Sequence, residues 1–265
     1  MKIASWNVNS VRKRTANLLA WLERTTPDIV VLQELKCQAE QFPRLELESA
    51  GWHCEVVGQK AFNGVAMLSR RPPLEITARA LPGDPADEQS RYVEALFDTT
   101  AGNLRVGGIY LPNGNPVATE KFPYKLGFMR RLRERMAGFL IGDDMLAFGG
   151  DYNVCPTDMD VYAPAAWADD ALCRPESRDA FRSLLNLGLT DAFRALHPTG
   201  HDYSFWDYQA GAWSKDHGLR IDHWLLSPQA ADRLRACGID KSERGKPEPS
   251  DHVPVWVELD AAWKD

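Results

Sequence analysis

The sequence has few cysteines, no long apolar stretch and no targeting segment. Its five cysteines are odd in number and show no CxxC spacing, which argues against a zinc finger or a disulfide framework and suits a reducing cytoplasm. No segment approaches the roughly 18 consecutive apolar residues of a membrane span. Residues 1–7 lack the apolar core and cleavage site of a secretory signal. We therefore expect a cytoplasmic protein that does not associate with a membrane.

An excess of positive charge is also missing. The chain has 31 lysines and arginines against 37 aspartates and glutamates, a formal net charge of −6. This balance argues against a protein that holds nucleic acid by bulk charge alone, but it allows an enzyme whose acidic residues surround a metal ion. The 44% hydrophobic content can bury a sizeable core, and no repeat or linker divides the chain. We expect one domain over residues 1–265 and, by default, a monomer.

The apolar segments predict many strands and few helices. This balance favours mixed sheets covered by helices over a purely parallel, doubly wound sheet. A first helix is predicted after the cap residues Asn9 and Ser10, and further helices at about 122–141 and 178–187. Strands are predicted at residues 2–6, 29–32, 54–57, 64–69, 92–97, 104–111, 145–148, 221–226 and 253–259.

Most polar residues that could carry chemistry lie at or beside the end of an apolar strand. A carboxylate in such a place loses hydration and needs a cation or strong hydrogen bonds to offset the loss. Oxygen ligands without thiolates suit Mg²⁺ or Mn²⁺ rather than zinc. Asp151 and Asn153 would face the same side of an extended chain, and Gly149 and Gly150 would let backbone or substrate approach closely. The full set is Asn7, Glu34, Asp151, Asn153, Asp222, Asp251 and His252.

Each of these features also has an ordinary structural interpretation. Glu34 is about as well explained as a helix cap or a surface ion pair, and residues 150–153 as a plain turn. Asp251 and His252, taken alone, fit a local turn with a surface imidazole somewhat better than a functional site. The other histidines show no acidic partner at metal spacing, so we interpret them as structural or surface residues.

Considered together, five segments resemble the exonuclease III family. They read KIASWNVNS at 2–10, LQELK at 32–36, GGDYNV at 149–154, LRID at 219–222 and SDHVPV at 250–255. They follow the order and spacing of that family over almost the whole chain. The family comprises abasic-site endonucleases within the endonuclease/exonuclease/phosphatase superfamily. The resemblance implies a four-layer α/β sandwich, with two packed mixed β-sheets flanked by helices.

The same resemblance implies a reaction. The substrate would be duplex DNA, cleaved with Mg²⁺ at the phosphodiester 5′ to an abasic site, with 3′→5′ exonuclease and 3′-phosphatase activity at 3′ ends. Mn²⁺ would substitute for Mg²⁺. A superfamily phosphatase acting on phosphoinositide-type esters would have a similar core and is the alternative. A catalytically inactive DNA-binding module is a third interpretation, against which the intact polar residues argue.

The resemblance also implies which residues hold the metal. Glu34 would be the principal ligand, with Asn7 beside it. The other candidates are Asp151, Asn153 and Asp251.

Catalytic roles follow from the resemblance in the same way. Asp151 would orient or deprotonate the attacking water, and Asn153 would hold Asp151 or the phosphate. His252 would contact the scissile phosphate, while Asp222 would fix the tautomer of the imidazole. The resemblance also places Tyr110 and Asn113 near this phosphate.

Substrate selection would depend on the aromatic segment 203–208 and on residues 219–221. The resemblance places Phe205, Leu219 and Ile221 in an apolar wall that accepts a flipped abasic deoxyribose. Trp206 would lie beside this wall, with a core position as the alternative, and Arg220 lies between the last two wall residues. Candidates for contact with DNA phosphates are Arg12, Arg70, Arg71, Lys121 and Lys125, whereas Arg130, Arg131, Arg133 and Arg135 would face solvent.

Overall fold

A computed structural model of the chain, which describes residues 1–264, shows two six-stranded sheets packed face to face. Both are mixed, since Lys2–Asn7 pairs with Ile29–Gln33 and Gly102–Tyr110 with Met145–Asp151 in parallel, and the remaining neighbours are antiparallel. The first sheet contains, in spatial order, β11 (Leu234–Ile239), β12 (Val255–Leu259), β1 (Lys2–Asn7), β2 (Ile29–Gln33), β4 (Val65–Ser69) and β3 (His53–Val57). The second contains β5 (Glu75–Ala78), β6 (Tyr92–Thr99), β7 (Gly102–Tyr110), β8 (Met145–Asp151), β10 (Asp222–Leu226) and β9 (Thr190–Asp191).

Side chains from alternate strand positions fill the space between the two sheets. Ile3 of the first sheet belongs to the same buried cluster as Val106 and Ala147 of the second. The neighbouring residues of β1, Ala4 and Trp6, face the opposite side and join a second cluster, because successive side chains of a strand point to opposite faces. Each aliphatic side chain buried in this way contributes about 1.5–3 kcal/mol.

Helices cover the outer face of each sheet. On the first sheet, α1 (Val11–Thr25) buries Leu18, Trp21 and Leu22. On the second, α3 (Lys121–Phe139) and α5 (Pro175–Leu185) bury their apolar faces. This order of helix, sheet, sheet and helix confirms the predicted four-layer α/β sandwich. The shorter helices are α2 (Arg44–Ser49), α4 (Pro164–Trp167), α6 (Ala192–Leu196) and α7 (Pro228–Ala231).

Not all arginines of α3 face solvent, contrary to the prediction. Arg131 is buried, and its Nη2 lies 2.5 Å from Asp87 Oδ2. Arg135 Nη2 lies 3.0 Å from Oε1 of the buried Glu94 on β6. These two arginines therefore tie α3 to β6 of the second sheet and to the loop between β5 and β6. Among residues 1–264, no helix is long and apolar enough to cross a membrane.

Several strands end at one edge of the sandwich and bring polar residues together there. The parallel strands β1 and β2 end at Asn7 and Gln33, and the parallel strands β7 and β8 end at Tyr110 and Asp151. Because β10 runs antiparallel to β8, its first residue, Asp222, pairs with Asp151. The polar strand ends at this edge form the candidate functional site.

The two glycines of β8 admit protein atoms rather than substrate. A Cβ added at Gly150 would lie 1.9 Å from the carbonyl oxygen of Ile109 on β7. One added at Gly149 would lie 2.4 Å from the ring of Trp224. The close approach that these glycines predicted is therefore made by the adjacent strand and by a core tryptophan.

Candidate active site

Two residues at this edge have left-handed backbone conformations, which are uncommon outside glycine. Glu34, directly after β2, has a φ of 53°, and Asn153, two residues after β8, has a φ of 49°. The turn at Glu34 is held by Ser10, whose N–H donates to the Glu34 carbonyl at 2.8 Å. The prediction of an extended chain through residue 153 is therefore wrong, although the side chains of Asp151 and Asn153 both border one cavity. Such backbone conformations cluster at functional sites.

Glu34, Asp151 and His252 form the centre of the site. Each offers one ligand atom, and these atoms all lie within 4.8 Å of one another. Asn7 links the two carboxylates, because its Nδ2 donates to Glu34 Oε1 and to Asp151 Oδ2, each at 3.0 Å. The hydroxyl of Tyr110 donates to the same Glu34 oxygen at 3.0 Å. The structure thus brings together residues that lie far apart in the sequence.

The carboxylate of Glu34 is held in its ionised form. Burial pushes its pKa upward, but the charge of Lys36 and the hydrogen bonds from Asn7 and Lys36 outweigh burial, so the pKa lies below its ordinary value. Lys36 Nζ lies 2.9 Å from Glu34 Oε2. Lys36 therefore keeps a negative oxygen available at the edge of the cavity.

The ionisation of Asp151 and His252 is set by burial and by their mutual charges. Burial, together with the carboxylates of Asp222 and Glu34, raises the pKa of Asp151 to about 7 against the opposing positive charge of His252. Burial lowers the pKa of His252, but the carboxylates of Asp222 and Asp151 outweigh burial and raise it to about 10. The imidazole is therefore protonated at neutral pH, while Asp151 titrates near neutrality.

His252 is held by a chain of buried hydrogen bonds. Its Nδ1 donates to Asp222 Oδ2 at 2.9 Å, and the same oxygen accepts from Ser204 Oγ at 2.6 Å. Ser204 Oγ accepts in turn from the backbone N–H groups of Ile221 and Asp222, both at 3.1 Å. With Nδ1 occupied, Nε2 faces Asp151 Oδ2 at 3.8 Å. Ser204 was not predicted as a site residue, because the segment 203–208 stands out in the sequence by its aromatic residues.

Asn153 is fixed by several neighbours. Its backbone N–H donates to Asp151 Oδ1 at 2.9 Å, and its side-chain oxygen accepts from Asn113 Nδ2 at 3.1 Å. Lys125 Nζ donates to the carbonyls of Asn113, Asn153 and Ala171 at 3.1, 2.6 and 3.0 Å. Lys125 is fully buried, so its predicted contact with DNA phosphates is wrong. It joins the loops that line the site instead.

The donor atoms at the centre suit a hard divalent cation. Glu34 and Asp151 supply two carboxylates, and a cation would offset the cost of holding the buried Asp151 ionised. Asn7 turns its amide nitrogen toward them, while its oxygen accepts from Asn9 N at 3.1 Å, so ligation by Asn7 requires the flipped amide. Asp251 borders the cavity, but its Oδ1 accepts from Asn9 Nδ2 at 2.9 Å. Glu34 and Asp151 are therefore the residues best placed to hold a metal.

These groups line a cavity of about 300 Å³. Phe205, Leu219 and Ile221, the residues that the resemblance placed in an apolar wall, border it. The ring centroids of Phe205 and His252 lie 4.9 Å apart, at an interplanar angle of 61°. Trp167, which sequence analysis did not single out, borders the same cavity. A larger groove of about 620 Å³ lies beside β3 and β5 and contains none of the predicted site residues.

Two predicted substrate contacts are wrong. The side chain of Arg220 is 1% exposed and pairs with Asp160 at 2.7 Å and Asp191 at 2.8 Å. Trp206 is fully buried and packs edge-on against Trp213, with its centroid 5.1 Å away. Neither side chain can reach a ligand in the cavity. Arg12 is exposed on α1, and its contact with DNA stays a prediction.

Comparisons with known proteins agree with this geometry. Residues 4–252 match the endonuclease/exonuclease/phosphatase family. The chain is 36% identical to exodeoxyribonuclease III of Haemophilus influenzae, over 98% of this chain and 100% of that protein. A solved structure of the 3′ phosphatase NExo from Neisseria, bound to a product DNA hairpin, has a TM-score of 0.93 and 39% identity over 98% of this chain and 99% of that one. An AP endonuclease from Archaeoglobus fulgidus has a TM-score of 0.91 and 33% identity, again over 98% and 99%. The chain therefore belongs to the endonuclease/exonuclease/phosphatase family.

Proposed function

We propose that this protein is a DNA-repair nuclease that hydrolyses the phosphodiester 5′ to abasic sites in duplex DNA. It also removes nucleotides and phosphates from 3′ ends, and it uses Mg²⁺, for which Mn²⁺ substitutes. The observation that carries the proposal is the group Glu34, Asp151 and His252 in one cavity with an apolar wall. Relatives named as an exodeoxyribonuclease, a 3′ phosphatase and an AP endonuclease support it.

Three further properties belong to the same proposal. The protein acts as a monomer and as one domain. It works in the cytoplasm, where a reducing environment suits the free thiols of its five cysteines.

Asp151 takes the proton from the attacking water. Burial gives its carboxylate a raised pKa, and therefore a higher basicity than an exposed aspartate has. The backbone N–H of Asn153 holds one carboxylate oxygen and orients the group. His252 is protonated at neutral pH and cannot accept this proton, so it donates from Nε2 to the scissile phosphate. Loss of one such oriented donor lowers the rate by about 100- to 1,000-fold.

Glu34 and Asp151 hold Mg²⁺, with Asn7 and Asp251 beside them. When bound, the ion supplies positive charge to the phosphate as negative charge accumulates in the transition state. Tyr110 supports the same end of the phosphate. Burial raises the pKa of Tyr110 well above its ordinary value, and the carboxylates of Glu34 and Asp151 raise it further, so the hydroxyl remains a hydrogen-bond donor.

The apolar wall favours an abasic deoxyribose over an inositol headgroup. Phe205, Leu219 and Ile221 offer no side-chain hydrogen-bond partner to the hydroxyls and phosphates of an inositol ring. A baseless sugar has an apolar face that can pack against such a wall. The apolar wall therefore favours the nuclease function over the phosphoinositide phosphatase function.

A labelled duplex with one tetrahydrofuran residue, an abasic-site analogue, tests the proposal. We expect a single incision 5′ to the analogue with Mg²⁺, none with EDTA, and none with the Asp151→Asn variant under either condition. An intact duplex without the analogue serves as the control for internal cleavage. An enzyme that leaves the analogue uncut but hydrolyses a soluble inositol phosphate would contradict the proposal.

A further inference from the structure

Three aromatic rings beside the catalytic cavity have no role in the mechanism above. The rings of Tyr162 and His217 are stacked, with centroids 4.3 Å apart and an interplanar angle of 8°. Trp167 meets the Tyr162 ring edge-on, at 6.3 Å and 75°. Trp167 also borders the cavity that contains Glu34, Asp151 and His252. We call Tyr162, Trp167 and His217 the aromatic cluster.

Backbone pairing ties the aromatic cluster to the catalytic residues. His252 forms a bridge with Phe205, Phe205 forms one with Leu219, and Leu219 forms one with Val161. Tyr162 N–H donates to the carbonyl of Gly218 at 3.2 Å, next to His217. Tyr162 and the residue next to His217 are therefore held beside the apolar wall, and Trp167 contacts the Tyr162 ring.

Trp167 is the ring of the aromatic cluster that can meet a ligand in the cavity. It is partly buried against a cluster of apolar residues that includes Leu172, Leu219 and Ile221, and these three residues border the cavity with it. Tyr162, which is 36% exposed, contacts the Trp167 ring edge-on. The other contact of Tyr162 is with His217, whose ring stacks on one face of the Tyr162 ring. A ring that is already ordered loses little conformational entropy when a ligand stacks on it. Aromatic rings of this kind stack nucleobases without regard to sequence.

We propose that Trp167 is a stacking surface for the base of the 3′-terminal nucleotide while that nucleotide is removed. This inference rests on the proposed nuclease function and extends it to a second subsite. When the terminal phosphodiester lies at Asp151 and His252, the sugar faces the apolar wall. The base has then left the duplex stack and needs a new aromatic partner. Trp167 lies on the border of the same cavity and supplies that partner.

The test compares two duplexes that differ only in the base of the last nucleotide. One ends in a normal 3′ nucleotide and the other in a 3′ tetrahydrofuran residue, and single-turnover excision is measured with Mg²⁺. For Trp167→Ala we expect excision of the base-bearing nucleotide to fall by about 5- to 150-fold, the range for loss of one base–aromatic stack. Excision of the baseless residue should change by less than about 2-fold. Trp167→Phe should retain most of the activity on the base-bearing end.

Several controls separate stacking from other effects of the substitution. Trp263→Ala removes another partly buried tryptophan, one that packs on Phe97 instead of the cavity, and should affect both substrates equally. Trp167→Leu keeps an apolar side chain without the aromatic face and should behave as the alanine variant does, even if alanine destabilises the fold. An equal loss on both substrates, or no loss on either, would overturn the stacking role. Wild-type excision of the normal terminus tests the nuclease function separately.

Discussion

Asp222→Asn offers the sharpest test of how the site is charged. Asp222 is buried, and one of its oxygens accepts from both Ser204 and His252. Asparagine keeps the shape of this residue but removes the negative charge that most strongly raises the pKa of His252. Without that charge, the pKa of the imidazole falls and the group loses its proton at a lower pH.

The size of the effect depends on pH in a calculable way. With its pKa raised to about 10, His252 of the unmodified enzyme is protonated in about 99% of molecules at pH 8. An imidazole with the ordinary pKa of about 6.5 is protonated in about 3% of molecules at pH 8 and about 0.3% at pH 9. If His252 of the variant has this ordinary pKa, the variant is about 30-fold less active than the unmodified enzyme at pH 8 and about 300-fold less active at pH 9. The two should differ little through this effect at pH 5.5.

The assay is single-turnover incision of the tetrahydrofuran duplex from pH 5.5 to 9. Both enzymes lose activity toward acidic pH, because Asp151 becomes protonated. A bound divalent cation adds positive charge and lowers the pKa of both groups, but the deficit of the variant still grows with pH. Ser204→Ala is the matched control: it removes a hydrogen bond from Asp222 without changing its charge, so its deficit should be constant across this range. A constant deficit for Asp222→Asn as well would refute the protonated role of His252.

Three further substitutions have distinct expected results. Glu34→Gln should weaken Mg²⁺ binding by well over 10-fold, measured as the metal concentration for half-maximal incision. The melting temperature should stay close to that of the unmodified protein. An unchanged metal dependence would show that Glu34 does not bind the metal. Lys125→Met keeps the length of the side chain but loses its three hydrogen bonds to loop carbonyls, so kcat should fall by about 100-fold with a smaller change in KM, in line with the cost of small misplacements; a change confined to KM would contradict a positioning role. Asp160→Asn should destabilise the protein by about 3 kcal/mol at pH 7 in urea unfolding, because it disrupts a buried ion pair with Arg220. The pKa of Asp160 is held below its ordinary value by Arg220 and Arg194 against burial, so this difference should be complete above about pH 4 and shrink as the pH falls further; a difference that does not depend on pH would show that the charge of Asp160 contributes nothing.

The central strands and the catalytic residues after them could be predicted from sequence. Residues 29–32 and 145–148 are continuous apolar runs, as expected of strands buried on both faces. Glu34 and Asp151 stand out because a carboxylate within three residues of the end of such a run is unusual. The mixed sheets and their helix cover followed from the number and spacing of these runs.

Two of the edge strands, β11 and β5, could not be predicted in the same way. Leu234–Ile239 and Glu75–Ala78 lie at the edges of their sheets and are half-buried, so they carry a weaker hydrophobic pattern. Arg235 and Gly238 further weaken the pattern in the first of them. Both strands owe their structure to the neighbour with which they pair.

The direction of a loop side chain was the other feature that sequence did not reveal. Arg220 lies between two wall residues in the sequence, yet its guanidinium points away from them into a buried ion-pair network. Lys125 and Ser204 contact segments that lie 12 to 46 and 17 to 18 residues away, respectively. Trp167 ends α4 and meets the cavity a few residues after Val161, which pairs with Leu219. Such contacts depend on tertiary packing, which local pattern does not encode.

Anomalous diffraction from a crystal soaked in Mn²⁺ would show directly whether Glu34 and Asp151 bind the divalent cation. The account predicts one strong peak in the cavity, within about 2.0–2.3 Å of carboxylate oxygens of Glu34 and Asp151, and its loss in the Glu34→Gln variant. A peak held by other residues, in a crystal whose protein remains active with Mn²⁺, would contradict the account.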